Sequence, residues 1–271
     1  MFVGLFYVAI GIALLVLGAL LYYIIATGLP ALSLRLFTNP PATDPTEAGY
    51  QVAIISTLWL IGLTMLFSVP LGVGAGIFLE EYGGRSRLVE RFQVLISNLA
   101  GVPSVVFGML GLALFIPLTA GRPTILAGAL TLTLLVFPYI VITSQEALRA
   151  VPQSIRDGSL ALGASKWQSI RGNVLRAALP GVMTGAILSA ARAIGETAPL
   201  LVLGAFFYQP LPPEGPLSIF TPLPVAIFGY ILQPGPEFQQ LAAAGAIILL
   251  GLVILLNLGA IIVRQRTRVR W

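Results

Sequence analysis

Arg192 and Glu196 stand four residues apart inside an otherwise apolar run, 179–207. A charge at the centre of a membrane span costs about 3 kcal/mol on insertion scales, so such residues face a cavity, a partner or one another. At i and i+4 of a helix they share a face and lie within reach of an ion pair. A guanidinium presents a planar fork of donors that suits a tetrahedral oxyanion. Three roles fit this pair. It forms an anion site whose grip Glu196 tempers, so that the anion can leave again. Or Arg192 is a gate that changes partners between two states. Or the pair only holds this helix to its neighbours.

The second polar concentration is 149–181, RAVPQSIRDGSLALGASKWQSIRGNVLRAALPG, set between two apolar runs. Pro152 suits a helix start. Ile155, Ser159 and Leu162 follow at helical spacing, with Leu160 adjacent. Gly163 reads as the stop, because glycine adopts the left-handed conformation without strain. Ser165 and Gln168 form a capping-box pattern that opens a second helix, on which Trp167, Ile170 and Val174 share a face. The segment is therefore two short helices bent at Gly163-Ala164-Ser165. Two readings stand: an amphipathic loop on the anionic leaflet, or a peg that fits a groove on a cytoplasmic protein.

These residues sit in a chain that reads as membrane. Of 271 residues 57% are hydrophobic and 9% are charged; a soluble domain carries about 25% charged residues. The absence of Cys and His excludes disulfides, thiolate chemistry and His-ligated metals, and no catalytic or metal site is expected in this chain. The single lysine, Lys166, lies between Ser165 and Trp167. It belongs to no phosphate-binding loop, which needs Gly-Lys-Ser/Thr after a glycine-rich turn. Any ATP-driven work must come from a separate subunit.

Spanning the hydrocarbon takes about 20 apolar residues. Six runs qualify: 2–26, 52–79 with Pro70, 94–118 with Gly101 and Pro103, 125–143 with Pro138, 179–207, and 241–263. The first lacks the basic start and small-residue cleavage site of a signal peptide. Arg85, Arg87 and Arg91, then Arg149, Arg156, Lys166, Arg171 and Arg176, then Arg264, Arg266, Arg268 and Arg270 fall on one side; Arg35 and Arg122 fall on the other. Excess Lys and Arg marks the cytoplasm, so both termini are expected there, with 28–50 and 208–238 outside. In the outer loop, Thr221-Pro222 begins a run of about ten apolar residues, too short to span and expected to be a re-entrant or surface helix. Phe206, Phe207, Tyr208, Phe220, Phe228 and Tyr230 suit an interfacial belt. Glu146 with Arg149 is expected to pair at the membrane edge, and Glu80 and Glu81 to lie in a solvated turn. Gly72-x3-Gly76 and Gly181-x3-Gly185 allow close helix packing.

Asp157-Gly158-Ser159, three residues, Gly163, nine residues, Asn173, then Leu175 resembles the cytoplasmic EAA loop of ABC-importer permeases. Gly163 with Ala164-Ser165-Lys166-Trp167 matches the best-recognised part of that motif. Asp157 for Glu, Gly158-Ser159 for Ala-Ala, Asn173 for Ile and Arg176 for Pro depart from it. Ala191-Arg192-Ala193-Ile194-Gly195-Glu196-Thr197-Ala198-Pro199 resembles a segment of the phosphate-specific (Pst-type) permeases, most like the PstA branch. Gly101-Val102-Pro103-Ser104-Val105-Val106-Phe107-Gly108 and Leu135-Val136-Phe137-Pro138 are similar to that family too. The resemblance implies an all-α integral membrane protein with six transmembrane helices and a cytoplasmic coupling helix, the type I importer permease fold. It implies one permease domain over 1–271: a first membrane helix 1–27 and a core 52–263 with coupling loop 149–176 and outer loop 208–238. It further implies a pathway or gate at Arg192, Glu196 and Thr197. ATPase coupling would run through Arg156, Asp157, Gly158, Ser159, Gly163, Ala164, Ser165, Lys166 and Trp167.

The implied setting is the inner membrane of a prokaryote. The implied partners are a sister permease, two ATPase subunits that hold ATP and Mg, an external phosphate-binding protein and membrane lipid, with no nucleic acid and no cofactor in this chain. The alternatives are import of another oxyanion, sulfate or molybdate, or a secondary carrier driven by an ion gradient with Glu196 as the proton site. Arg192 beside Glu196 favours the charged carboxylate and suits a proton relay poorly.

Overall fold

The computed structural model describes residues 2–84, 86–205 and 209–266. Helix α1 (Phe2–Gly28) is apolar throughout, and the short α2 (Arg35–Thr38) follows it. Helix α3 (Gln51–Ile77) ends in a π-helical turn, Phe78–Tyr82. Then come α4 (Arg87–Ala100), α5 (Ser104–Leu114) and α6 (Ile125–Arg149). The polar insert supplies α7 (Gln153–Ala161) and α8 (Lys166–Ser169). A second π turn, Ile170–Val174, leads into α9 (Leu175–Gly195). Helices α10 (Ala198–Leu203), α11 (Leu223–Ile231) and α12 (Pro236–Arg266) complete the order. Among the described residues the one β feature is an isolated bridge between Thr124 and Ile219.

Five helical stretches are long and apolar enough to cross a membrane. The sixth expected span, 94–118, is a bent pair of helices that is long and apolar enough to cross only when the two are taken together. α4 and α5 meet at 105° across Gly101-Val102-Pro103. Pro103 has no amide hydrogen to continue the ladder, and the residue before a proline is steered from helical angles. α4 starts earlier than expected, capped by Ser86, whose hydroxyl accepts from the Val89 amide. Its stripe of Arg87, Glu90, Arg91 and Asn98 makes it amphipathic rather than uniformly apolar. The expected span 179–207 is also interrupted. α9 stops at Gly195, Glu196 is extended, and α10 restarts at Ala198.

α6 is the axis of the bundle, and both α3 and α9 pack along it. Glycine makes both approaches possible. A methyl group at Gly72 would lie 2.6 Å from Ile140 Cγ2, and one at Gly76 would lie 2.8 Å from the Ser144 side chain. From α9, Gly181 rests on Ala147, and Gly185 on Thr143. Both small-x3-small motifs therefore pack against the same helix. The main core follows this axis through Leu60, Ile125, Leu132, Leu135, Ile140 and Leu203.

At the end remote from the polar insert, the two long connections form one cap. Tyr50 donates to the Leu241 carbonyl at 2.9 Å and meets Tyr230 edge-on at 5.4 Å. The Leu223 amide donates to Thr57 Oγ1 at 2.8 Å. α11 is thus a short buried helix packed on α3 and α12, not a surface helix. Phe220 is fully buried beneath Gly128, and Tyr230 is buried between Tyr50 and Phe238, so neither belongs to an interfacial belt. Phe206, Phe207 and Tyr208 lie outside the described residues. The carbonyls of Ser218 and Pro216 accept from the Ile125 and Leu126 amides, and so satisfy the first turn of α6.

Candidate functional site

The structure brings Arg192 to Glu196 and to a residue the sequence reading did not name. The Arg192 guanidinium lies 4.2 Å above the ring of Tyr139 on α6 and 3.4 Å from Glu196 Oε1. Its side chain is 44% exposed. Glu196 is not on the helix, as i+4 spacing suggested. Its backbone is extended, at φ −74° and ψ 117°, yet its carboxylate turns back to Arg192. Thr197 lies next to it in the break, its hydroxyl donating at 3.4 Å to the Gly195 carbonyl.

Tyr139 also ties this break to the other one. Its hydroxyl donates to the Ala100 carbonyl at 2.6 Å, the last residue of α4. The breaks pack against each other directly: Gly108 of α5 approaches Pro199 and Val202 of α10 so closely that an added Cβ would sit 2.7 Å from the Pro199 carbonyl oxygen. Two interrupted spans, one cation and one aromatic ring thus meet at one place. Non-helical backbone at membrane depth is tolerated where it is buried in protein or lines a water-filled cavity. Half-exposed Arg192 in such a break is a cation with donors to spare, held from below by an aromatic face. The signal for Tyr139 in the sequence was its position after Pro138; only the fold sets it beneath Arg192.

The polar insert is the second site, and its elbow forms as the residues dictate. Gly163 has φ +82°. Ser165 accepts from the Gln168 amide while the Gln168 side chain accepts from the Ser165 amide, a complete capping box. The expected apolar faces are arranged differently. Ile170 and Val174 are buried, whereas Leu162 is 90% exposed and Leu160 and Trp167 are exposed as well. Asp157, Gly158, Gly163, Ser165 and Lys166 are exposed near them, and Ala164 is half-buried. Asp157 accepts from the Gln153 side chain at 3.0 Å.

Arg156 and Ser159 face inward. Arg156 makes a sheltered pair with Glu81 at 2.7 Å and donates to the Leu148 and Val151 carbonyls. Ser159 donates to the Ile155 carbonyl and accepts from Asn173 Nδ2 at 2.7 Å. Arg149 pairs with Glu80, not with Glu146, and the turn holding Glu80 and Glu81 is a docking edge rather than a solvated bend. Arg264, one of the basic residues placed after the last span, sits within α12 and donates to Thr184 Oγ1 at 2.8 Å. Among the described residues no cluster of three or more His, Cys, Asp or Glu is placed to hold a metal.

A family model described as the inner membrane component of binding-protein-dependent transport systems matches residues 68–269. The chain belongs to this family of ABC-transporter permeases. It is 33% identical over 269 residues to the probable ABC transporter permease protein YqgI of Bacillus subtilis, covering 95% of this chain and 92% of that one. It is 36% identical over 255 residues to the phosphate transport system permease protein PstA of Haemophilus influenzae, covering 94% and 89%. In fold it is similar to a chain of the bacterial alginate ABC transporter, solved with its pentasaccharide-bound periplasmic protein: TM-score 0.70, 15% identity, all of this chain and 96% of that one. A chain of the inward-facing MetNI methionine ABC transporter gives TM-score 0.65 at 18% identity over 84% of this permease and all of that chain. The permease is thus a non-catalytic, multi-pass inner membrane subunit of an importer whose ATPase and substrate-binding protein are separate partners.

Proposed function

We propose that this permease carries inorganic phosphate inward, with Arg192 as the cation the anion meets and the 149–176 loop as the contact with the ATPase. The observation that carries the reading is the half-exposed guanidinium of Arg192 at the meeting of two broken spans, beside Glu196 and Thr197. Phosphate offers the tetrahedral oxygens that such a fork recognises. Glu196 offers a competing partner, which keeps the grip weak enough for release. The PstA relative supports phosphate over sulfate or molybdate. The elbow supports the ATPase contact: Leu160, Leu162 and Trp167 are each exposed, among the exposed Asp157, Gly158, Gly163, Ser165 and Lys166 of the same short segment, apolar surface of the kind that seats in a groove.

In this reading both termini and the loop face the cytoplasm. A sister permease completes the pathway, two ATPase subunits below hold ATP and Mg, and an external phosphate-binding protein delivers the anion. Arg192→Ala tests it in the assembled complex. Phosphate uptake should fall at least about a hundredfold, the scale of losing a charge-assisted contact of about 3 kcal/mol, while the subunits still co-purify. A complex that falls apart assigns Arg192 to holding the helices instead, and uptake at the normal rate removes it from the pathway. Excess sulfate or molybdate that competes as well as phosphate would overturn the substrate.

A further inference from the structure

The 149–176 loop is covalently continuous with α6 and α9 but not with α3, so movement of the loop needs another route to α3. The structure supplies one at three consecutive residues of the π turn that ends α3. Glu80 pairs with Arg149 at 2.7 Å, Glu81 with Arg156 at 2.7 Å, and the Tyr82 ring lies 5.0 Å from Lys166 Nζ. The three partners are the last residue of α6, the middle of α7 and the first residue of α8 beyond the elbow. We propose that the Glu81–Arg156 pair is the joint through which the loop moves α3, with Glu81 and Arg156 as positioning residues for transport. This rests on the loop being the ATPase contact.

The three contacts are unequal. The Arg149 side chain is 57% exposed, and exposed pairs contribute little. Lys166 over Tyr82 is a surface contact of about 0.5–1 kcal/mol. Arg156 and Glu81 are only 15% and 8% exposed, and Arg156 engages the carboxylate through both Nε and Nη2. The same guanidinium takes up the Leu148 and Val151 carbonyls at the end of α6. One side chain thus locks α3, α6 and α7 in a single geometry, which a flexible surface tether does not do.

The surroundings suit a moving part. π turns are rare and recur at functional sites, and here one ends α3 while the other, within the loop, leads into α9. A cavity of about 590 Å³ opens beside the pair, lined by Glu80, Arg149, Gln153, Lys166 and Ile170. Above it, the Gly72 and Gly76 contacts press α3 onto α6, so a displacement at the π turn is carried up the bundle.

The test uses the complete complex in proteoliposomes and reads phosphate taken up per ATP hydrolysed. Glu81→Gln and Arg156→Gln should leave ATP hydrolysis and assembly in place and lower that ratio about tenfold or more, within the usual range for coupling between two sites. The chain has no cysteine, so Glu81→Cys with Arg156→Cys can be bridged by a short bifunctional thiosulfonate in an otherwise cysteine-free complex. The bridge should restore the ratio, and reductant should abolish it again. An unchanged ratio in both single variants, or a bridge that restores nothing, overturns the joint. A Trp167→Cys cross-link to the ATPase separates the two claims: its absence in the intact complex sinks the loop contact itself, whereas its presence with an unchanged ratio sinks only the joint.

Discussion

Arg192 is held in two unlike ways, by a carboxylate at 3.4 Å and by an aromatic face at 4.2 Å. In the proposed function the carboxylate would compete with an incoming anion, and the ring would not. Tyr139 therefore fixes where the guanidinium stands without occupying its donors. Tyr139→Leu removes the ring and should lower the maximal rate of phosphate uptake about fivefold, the equivalent of a cation–π contact of about 1 kcal/mol. Tyr139→Phe keeps the ring, loses only the bond to Ala100, and should stay within about twofold of the parent on the same scale. Equal losses in the two variants would show that the hydroxyl, not the ring, matters. Arg192 and Glu196 were legible in the sequence because charge in an apolar run is conspicuous. Tyr139 was not, because an aromatic in a span is ordinary until the fold sets a cation above it.

At the scale of elements, the insert shows how departures from the familiar loop pattern compensate. Ser159 stands where alanine is expected and Asn173 where isoleucine is expected, and the two side chains meet at 2.7 Å. A polar pair joins α7 to the π turn where apolar contact would otherwise serve. Ser159→Ala and Asn173→Leu should each destabilise the permease by about 1 kcal/mol, and the double variant by no more than one of them. Unfolding midpoints in detergent measure this, and strictly additive losses would show that the bond carries no weight. The elbow itself was readable, since Gly163, Ser165 and Gln168 act through local backbone geometry. The faces of its helices were not. Leu162 was placed with Ile155 by spacing, but the helix ends before it and leaves it 90% exposed. The two broken spans were half readable. Gly101 and Pro103 were visible as interruptions of the first, whereas the 105° turn between α4 and α5, and the extended Glu196, follow from packing between helices far apart in sequence.

At the scale of the molecule, the charge pattern and the fold converge. Glu80, Glu81, Arg149, Arg156 and Lys166 gather at one end of the bundle, and the cap of Tyr50, Phe220 and Tyr230 closes the other. In the proposed function the permease receives force at the first of these ends; it has a cation beside its broken spans and no Gly-Lys-Ser/Thr loop of its own to bind nucleotide. Transport should then depend on the ATPase and not on an ion gradient. The direct measurement is uptake of radiolabelled phosphate into proteoliposomes that hold this permease with its sister subunit, with and without the ATPase subunits, ATP inside and the binding protein outside. The expected result is uptake only when ATPase and ATP are both present. Uptake of the same size without the ATPase, driven by an imposed proton gradient, would contradict it.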